Sequence, residues 1–371
     1  MISRGKRVIS EVLREAQRLS SYDVGVTVEG LARRLGISPS KVLKLNSNEN
    51  FFVPLDFLRS ILRRAAEEID PRIYPRDEIR ELKEAFGLYV DADPSQLVMG
   101  TGSDQLIDIL CRMMLRRGDE AVTISPTFSI YRRCVEIQGA VYKPVSLRED
   151  FSLDVEAMLG AVTGRTRLML LCSPNNPTAN RFRPGDIQRL ADEFDGVIAV
   201  DEAYVDFSGG SVVNLTEELE NLVVFRTFSK VFGLAGLRIG CAVANPRLAK
   251  VMDEKFQMPY SVSLLAVKAA RMILDNLEVI KEAIGRVRIE RDRLIRGLNG
   301  IRGVRAFPSE TNFVLFQVDE SSSTIYERLL ERGVIIRNIG RVVRWENCLR
   351  VTVAPPRLME RFLDSLREVM A

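Results

Sequence analysis

Seven short apolar runs between residues 97 and 244 constrain this chain more than any other feature. They are LVMG (97–100), EAVTI (120–124), GAVYKPV (139–145), RLMLLCS (167–173), GVIAVDE (196–202), NLVVFRT (221–227) and IGCAVA (239–244). The stretches between them, such as 103–116, 128–138 and 184–194, place apolar residues at helical spacing. Near-continuous apolar runs alternating with helices read as strands buried on both faces. That is the pattern of an α/β layer built on a mostly parallel seven-stranded sheet flanked by helices. In such a sheet ligands sit beyond the carboxyl ends of the strands, so chemistry is to be sought in the residues just after each run.

The flanks read differently. Residues 1–20 set Val8, Val12, Leu13, Ala16 and Leu19 at helical spacing, and a polar, irregular stretch follows to Asn50. Residues 55–69 and 76–89 read as two helices separated by Pro71 and Pro75. A long helical region after 250, interrupted near 258–261, runs to about Gly297. GVRAF, TNFVLFQV, a helix at 323–332, GVIIRNI, LRVTVA and a terminal helix complete the chain. The expected organisation is an N-terminal helix and arm at 1–50, a large domain at 51–255 and a smaller C-terminal α/β domain at 256–371.

Composition enters where it excludes chemistry. The 371 residues contain no histidine, which rules out a histidine triad, a His-ligated zinc and imidazole acid–base catalysis. No metal site is expected. A net charge of +3 leaves no footprint of a nucleic-acid partner. The apolar runs fall far short of the roughly 18 residues that span a bilayer. Glu11 and Glu15 argue against a transit peptide, and the first residues lack the apolar core of a signal peptide. Five cysteines without a C-x-x-C pair read as buried free thiols, so the expected location is the cytoplasm. Lysine is scarce, at 10 residues against 43 arginines, so one at a strand end stands out.

Four strand ends carry groups suited to chemistry. Gly100-Thr101-Gly102-Ser103-Asp104 opens a helix, which suits a phosphate, or simply a helix cap. Ser173-Pro174-Asn175-Asn176-Pro177-Thr178 is a rigid turn whose amides either bond their own backbone or point into a cleft. Asp201 ends a buried strand, where a carboxylate is costly unless a cation lies opposite or it caps the next helix. Lys230 follows another strand among apolar residues, and burial would make its amine a nucleophile for carbonyls; a surface lysine is the bland alternative. Ser229 and Arg238 beside it suit a phosphate. A cationic ring nitrogen, a phosphate and an aldehyde are together the features of pyridoxal phosphate.

The chain resembles the fold-type I pyridoxal-phosphate aminotransferases and, among them, the histidinol-phosphate aminotransferase family. The resemblance rests on KLNSNEN (44–50), IYPRDEIRELKEAF (73–86), GTGSDQLI (100–107), SPTFSIYR (125–132), SPNNPTA (173–179), VDEAYVDF (200–207), RTFSKVFGLAGLRIG (226–240) and LRVTVA (349–354), in the family's order. It implies that Lys230 links to the cofactor aldehyde and that Asp201 pairs with the ring nitrogen. Asn176 and Tyr204 would bond the ring's 3′-oxygen, and Phe128 would stack on the ring. Gly102, Ser103, Asp104, Ser229 and Arg238 would hold the phosphate, with Tyr74 reaching the phosphate of a neighbouring subunit. Arg350 would clamp the substrate α-carboxylate, while Arg337, and Tyr22 from the arm across a homodimer, would face the substrate side chain. Lys230 would be the base for the α-proton, and 2-oxoglutarate the amino acceptor. Arg341 or Arg344 would add charge for an anionic substrate group, unless both are solvated loop residues. Phe51-Phe52-Val53 and Ala179 depart from the family's usual proline and glycine, and the two phenylalanines are expected to border the substrate. An aromatic aminotransferase, a pyridoxal-phosphate decarboxylase of a phosphorylated amino acid and a binding protein that has kept the fold are the competing readings.

Overall fold

The computed structural model describes residues 4–19, 21 and 24–371. After the helix Arg4–Ala16, the chain forms a second helix, Val28–Leu35, and a two-residue strand, β1 (Leu43–Lys44). Two helices follow, Leu55–Glu67 and Asp77–Val90. The seven apolar runs then become strands of one sheet. These are β2 (Leu97–Gly100), β3 (Glu120–Ser125), β4 (Val141–Ser146), β5 (Thr166–Cys172), β6 (Val197–Asp201), β7 (Leu222–Thr227) and β8 (Gly240–Ala244).

Their order is β2-β8-β7-β6-β5-β3-β4. Pairing is parallel throughout β3–β7, while β8 runs antiparallel to both neighbours. A parallel return normally needs a crossover helix. The link between β7 and β8 holds only the short turn Ala235–Leu237, so the chain doubles back. This places residues 228–239 at the carboxyl edge of the sheet, beside the ends of β2, β3, β5 and β6.

Both faces are covered over six of the strands, as their near-continuous apolar sequences require, while the edge strand β4 has no buried residue. On β5, Leu168, Leu170 and Cys172 face the helices Gly102–Met114 and Ile130–Ile137, while Met169 and Leu171 pack into the opposite core. The same period of two on β6 sends Val197 and Ala199 to the first face, and Asp201 continues that row.

A second, antiparallel sheet has the order β12-β13-β10-β9, from β9 (Val304–Ala306), β10 (Phe313–Val318), β12 (Arg337–Val342) and β13 (Trp345–Thr352). Between them β11 (Val334–Ile335) pairs in parallel with β1, tying residues near the N-terminus to this sheet.

Two local expectations needed correction. The stretch to Asn50 is not irregular throughout, because Thr27 caps the helix Val28–Leu35 by accepting from the Gly30 N–H. Gly36 closes that helix in the left-handed conformation. The long helical region after 250 is interrupted near 258–261 as expected, but a π-turn at Met252–Phe256 precedes that gap and a second break follows Leu274, giving Leu264–Leu274 and Leu277–Asn299. Leu264–Leu274 packs on Leu55–Glu67 and Asp77–Val90, whereas Leu277–Asn299 contacts β9 and β10. Among the described residues, no helix is long and apolar enough to cross a membrane.

Candidate active site

The strand ends converge on a cavity of about 600 Å³. Lys230 sits there because its neighbours are claimed by the core. Phe228, Val231 and Phe232 are buried, with Phe228 stacked on Phe232 at 4.7 Å, leaving the lysine to face the cleft. Its Nζ donates to the Ser47 carbonyl at 2.9 Å and lies 5.7 Å from the centre of the Tyr204 ring. Burial pushes this amine down to about 8, and the nearby Arg350 guanidinium adds to the effect. It is therefore partly neutral near pH 7 and able to act as nucleophile or base.

Asp201, at the end of β6, is 3% exposed. Its Oδ2 accepts from the Tyr131 hydroxyl at 2.9 Å and its Oδ1 from the Ala203 N–H at 3.1 Å. Burial pushes the carboxyl up to about 6 despite the Tyr131 bond, so a cation opposite it would be strongly favoured. The turn that follows is pinned by buried ion pairs, Arg226 to Asp206 at 2.7 Å and to Glu202 at 3.6 Å. It delivers Tyr204, whose hydroxyl accepts from Asn48 Nδ2 at 3.0 Å.

An anion cradle lies at the other side of the cavity. Arg238 Nη1 donates to Ser229 Oγ at 3.3 Å, and its Nη2 to Asp104 Oδ2 at 3.1 Å. Gly102 begins its helix with φ +78, and a Cβ there would come within 2.7 Å of Arg238 Nη2. A glycine is needed at that point for the backbone conformation and for the close approach of the guanidinium. Gly240 plays a similar part, since a Cβ on it would meet the Ser103 nitrogen at 2.6 Å.

The second sheet supplies the remaining wall. Arg350 donates through Nη2 to the Asn46 carbonyl at 2.7 Å and through Nη1 to Asn176 Oδ1, and its guanidinium lies 5.2 Å from the Phe313 ring centre. Arg337 is its cross-strand partner in the β12–β13 register, and both line the cavity. Like charges directly opposite on an antiparallel pair repel. Arg133 and Arg341 line the same cavity, so six cationic side chains face three carboxylates and anionic ligands are preferred.

The sequence-derived set is thus largely brought together: Ser103, Asp104, Phe128, Asn176, Asp201, Tyr204, Ser229, Lys230, Arg238, Arg337 and Arg350 line one cavity, with Gly102 packed behind Arg238. Tyr74 is not there. It is 71% exposed, stacked on Tyr260 with 4.5 Å between ring centres. Tyr22 lies outside the described residues. Phe51 and Phe52 do not line the cavity either; Phe52 is buried, with Arg286 near its ring. Arg344 pairs with Glu149 and packs on Trp345, away from the cavity, whereas Arg341 lines it while bonding the Val343 carbonyl. Sequence reasoning passed over Asn48 and Tyr131. Tyr131 sits three residues beyond Phe128, and the period-two row ending in Asp201 faces the helix that carries it.

Comparison with known proteins gives the family. The family model described as aminotransferase class I and II matches residues 40–366. A histidinol-phosphate aminotransferase of Thermoanaerobacter sp. (strain X514) is 35% identical over 88% of this chain and 93% of its own. That of Roseiflexus castenholzii (strain DSM 13941 / HLO8) is 36% identical over 95% of this chain and 96% of its own. The crystal structure of the Sinorhizobium meliloti histidinol-phosphate aminotransferase in complex with pyridoxal-5'-phosphate superposes with a TM-score of 0.86 at 27% identity, covering 96% of each chain.

Proposed function

The chain belongs to the class I and II aminotransferases, and from that premise we propose that it is a pyridoxal-phosphate-dependent histidinol-phosphate aminotransferase of histidine biosynthesis, with 2-oxoglutarate as amino acceptor. The observation that carries the substrate is the Arg337–Arg350 pair, set opposite each other on β12 and β13. Histidinol phosphate has a phosphomonoester on the branch where an amino acid has its α-carboxylate. Two guanidiniums lining one cavity match a phosphate dianion, and Arg350 alone suffices for the carboxylate of the 2-oxo acid. This revises the expectation that Arg337 serves the substrate side chain.

The donor set fits the cofactor. Asp201 offers a buried carboxylate to a protonated ring nitrogen, and the Gly102–Ser103 helix start with Ser229 and Arg238 offers N–H and O–H donors to a phosphate. Asn176 and Tyr204, which line the same cavity, would hold the ring's 3′-oxygen, and Phe128 would cover the ring face. When bound, pyridoxal phosphate supplies an aldehyde for the amino group and a ring that withdraws electrons from the substrate's α-carbon. Lys230, whose amine faces the cleft, would be the residue that holds the cofactor's aldehyde. With a substrate bound, the same amine would take the α-proton, a task no histidine in this chain can share. Arg350, fixed by Asn46 and Asn176, orients the substrate so that this proton faces Lys230.

The active unit in this reading is a cytoplasmic homodimer. Val8, Ile9, Val12 and Leu13 of the helix Arg4–Ala16 are all more than half exposed, as is Tyr74, and a second subunit would cover them. The five free cysteines, all buried, accord with a reducing compartment. Sedimentation should find no active monomer.

The substrate is tested by adding histidinol phosphate, phenylalanine, tyrosine, aspartate and threonine phosphate singly to the cofactor-loaded protein and following conversion of the cofactor to its pyridoxamine form. Histidinol phosphate should convert it fastest. A faster phenylalanine reaction would favour an aromatic aminotransferase, and carbon dioxide released from threonine phosphate would favour a decarboxylase.

A further inference from the structure

We propose that Tyr131 is a positioning residue for amino transfer: its hydroxyl keeps Asp201 ionised and oriented, and its ring keeps Phe128 in place, so that one side chain aligns two of the groups facing the cofactor ring. The proposal rests on the placement of Asp201 and Phe128 given above. Tyr131 is 1% exposed, on the helix Ile130–Ile137. Its hydroxyl donates to Asp201 Oδ2 at 2.9 Å, and its ring meets Phe128 edge-on, with 5.7 Å between centres and 86° between planes. Among the described residues, no other side chain donates a hydrogen bond to Asp201.

The charged and titratable groups facing Asp201 act in opposite directions. Burial raises its carboxyl most, and Asp104 raises it further. The Tyr131 hydroxyl lowers it, as do the Ala203 N–H and Lys230. Cys172, paired with Asp201 across β5 and β6, and Tyr204 are also near, and burial holds both neutral. A hydrogen bond to a charged group is worth roughly 1.5–3 kcal/mol, so losing the hydroxyl should raise the Asp201 midpoint by about one to two pH units. A neutral Asp201 can no longer serve as counter-charge to a ring cation.

The test uses cofactor-free protein carrying 13C at the aspartate carboxyl carbons, titrated by NMR, with Asp201→Asn identifying the resonance. Tyr131→Phe should move the midpoint up by about one to two pH units. Incorporating 3-fluorotyrosine at 131, whose phenol is the stronger donor, should move it down while preserving shape. In the loaded enzyme, Tyr131→Phe should shift the acid limb of the pH–rate profile upward in step. A midpoint that stays put in both variants overturns the proposal, whatever happens to turnover. If Tyr131→Phe does not fold, the fluorotyrosine protein alone decides. The titration needs neither substrate nor cofactor, so failure of the histidinol-phosphate reading and failure of this proposal are separable.

Discussion

Replacing Lys230 by Met should make the cofactor-free protein more stable at pH 7 while abolishing its chemistry. Lowering the amine from 10.5 to about 8 corresponds to a cost of about 3 kcal/mol for keeping the charged lysine in the native state. The substitution also removes the hydrogen bond to the Ser47 carbonyl, worth about 1 kcal/mol, which leaves a net gain of about 2 kcal/mol. The sign fixes the pH window. Between about 8 and 10.5 the unfolded lysine holds a proton that the native one has released, so wild-type stability rises with pH across that interval. The advantage of Lys230→Met should therefore be full below pH 8 and close to zero by about pH 10. Urea unfolding of both cofactor-free proteins at pH 7 and pH 10 measures this. A variant that is less stable at pH 7, or a difference independent of pH, would refute the claim that the site holds its lysine under a desolvation penalty.

Two other substitutions separate cofactor from substrate. Gly102→Ala puts a methyl against Arg238 in a left-handed backbone position, and displacing that guanidinium should weaken cofactor binding about 10- to 100-fold by equilibrium dialysis, with little change in the far-ultraviolet spectrum. Arg337→Gln should lower kcat/KM for histidinol phosphate by about 10- to 150-fold and for phenylalanine by less than about 3-fold, because the carboxylate retains Arg350; equal losses would make the role of Arg337 structural.

Six of the seven strands were legible because burial on both faces writes itself as continuous apolar runs, whereas the edge strand β4, with no buried residue, was legible from its alternation with helices; the carboxyl ends named Asp201, Lys230 and the Gly102 turn. What escaped was set by tertiary contact. The reversal of β8 depends on a connection without a crossover helix, and Tyr131 and Asn48 become site residues only when the fold brings them to Asp201 and Tyr204. Thr27 and Gly36 did mark a helix, but it is short and buries only Leu31 and Ala32, so its apolar pattern was weak. Phe51 and Phe52 misled for a related reason: a segment that borders the cavity at Asn46–Glu49 turns away within two residues, and Asn50 binds the Val231 carbonyl instead.

The attachment of the cofactor is the central claim, and borohydride reduction of the loaded protein followed by peptide mapping tests it most directly. A pyridoxyl group on Lys230, and on none of the other nine lysines, is the predicted result; a label on a different lysine, or none in a protein that still transaminates, would contradict the account.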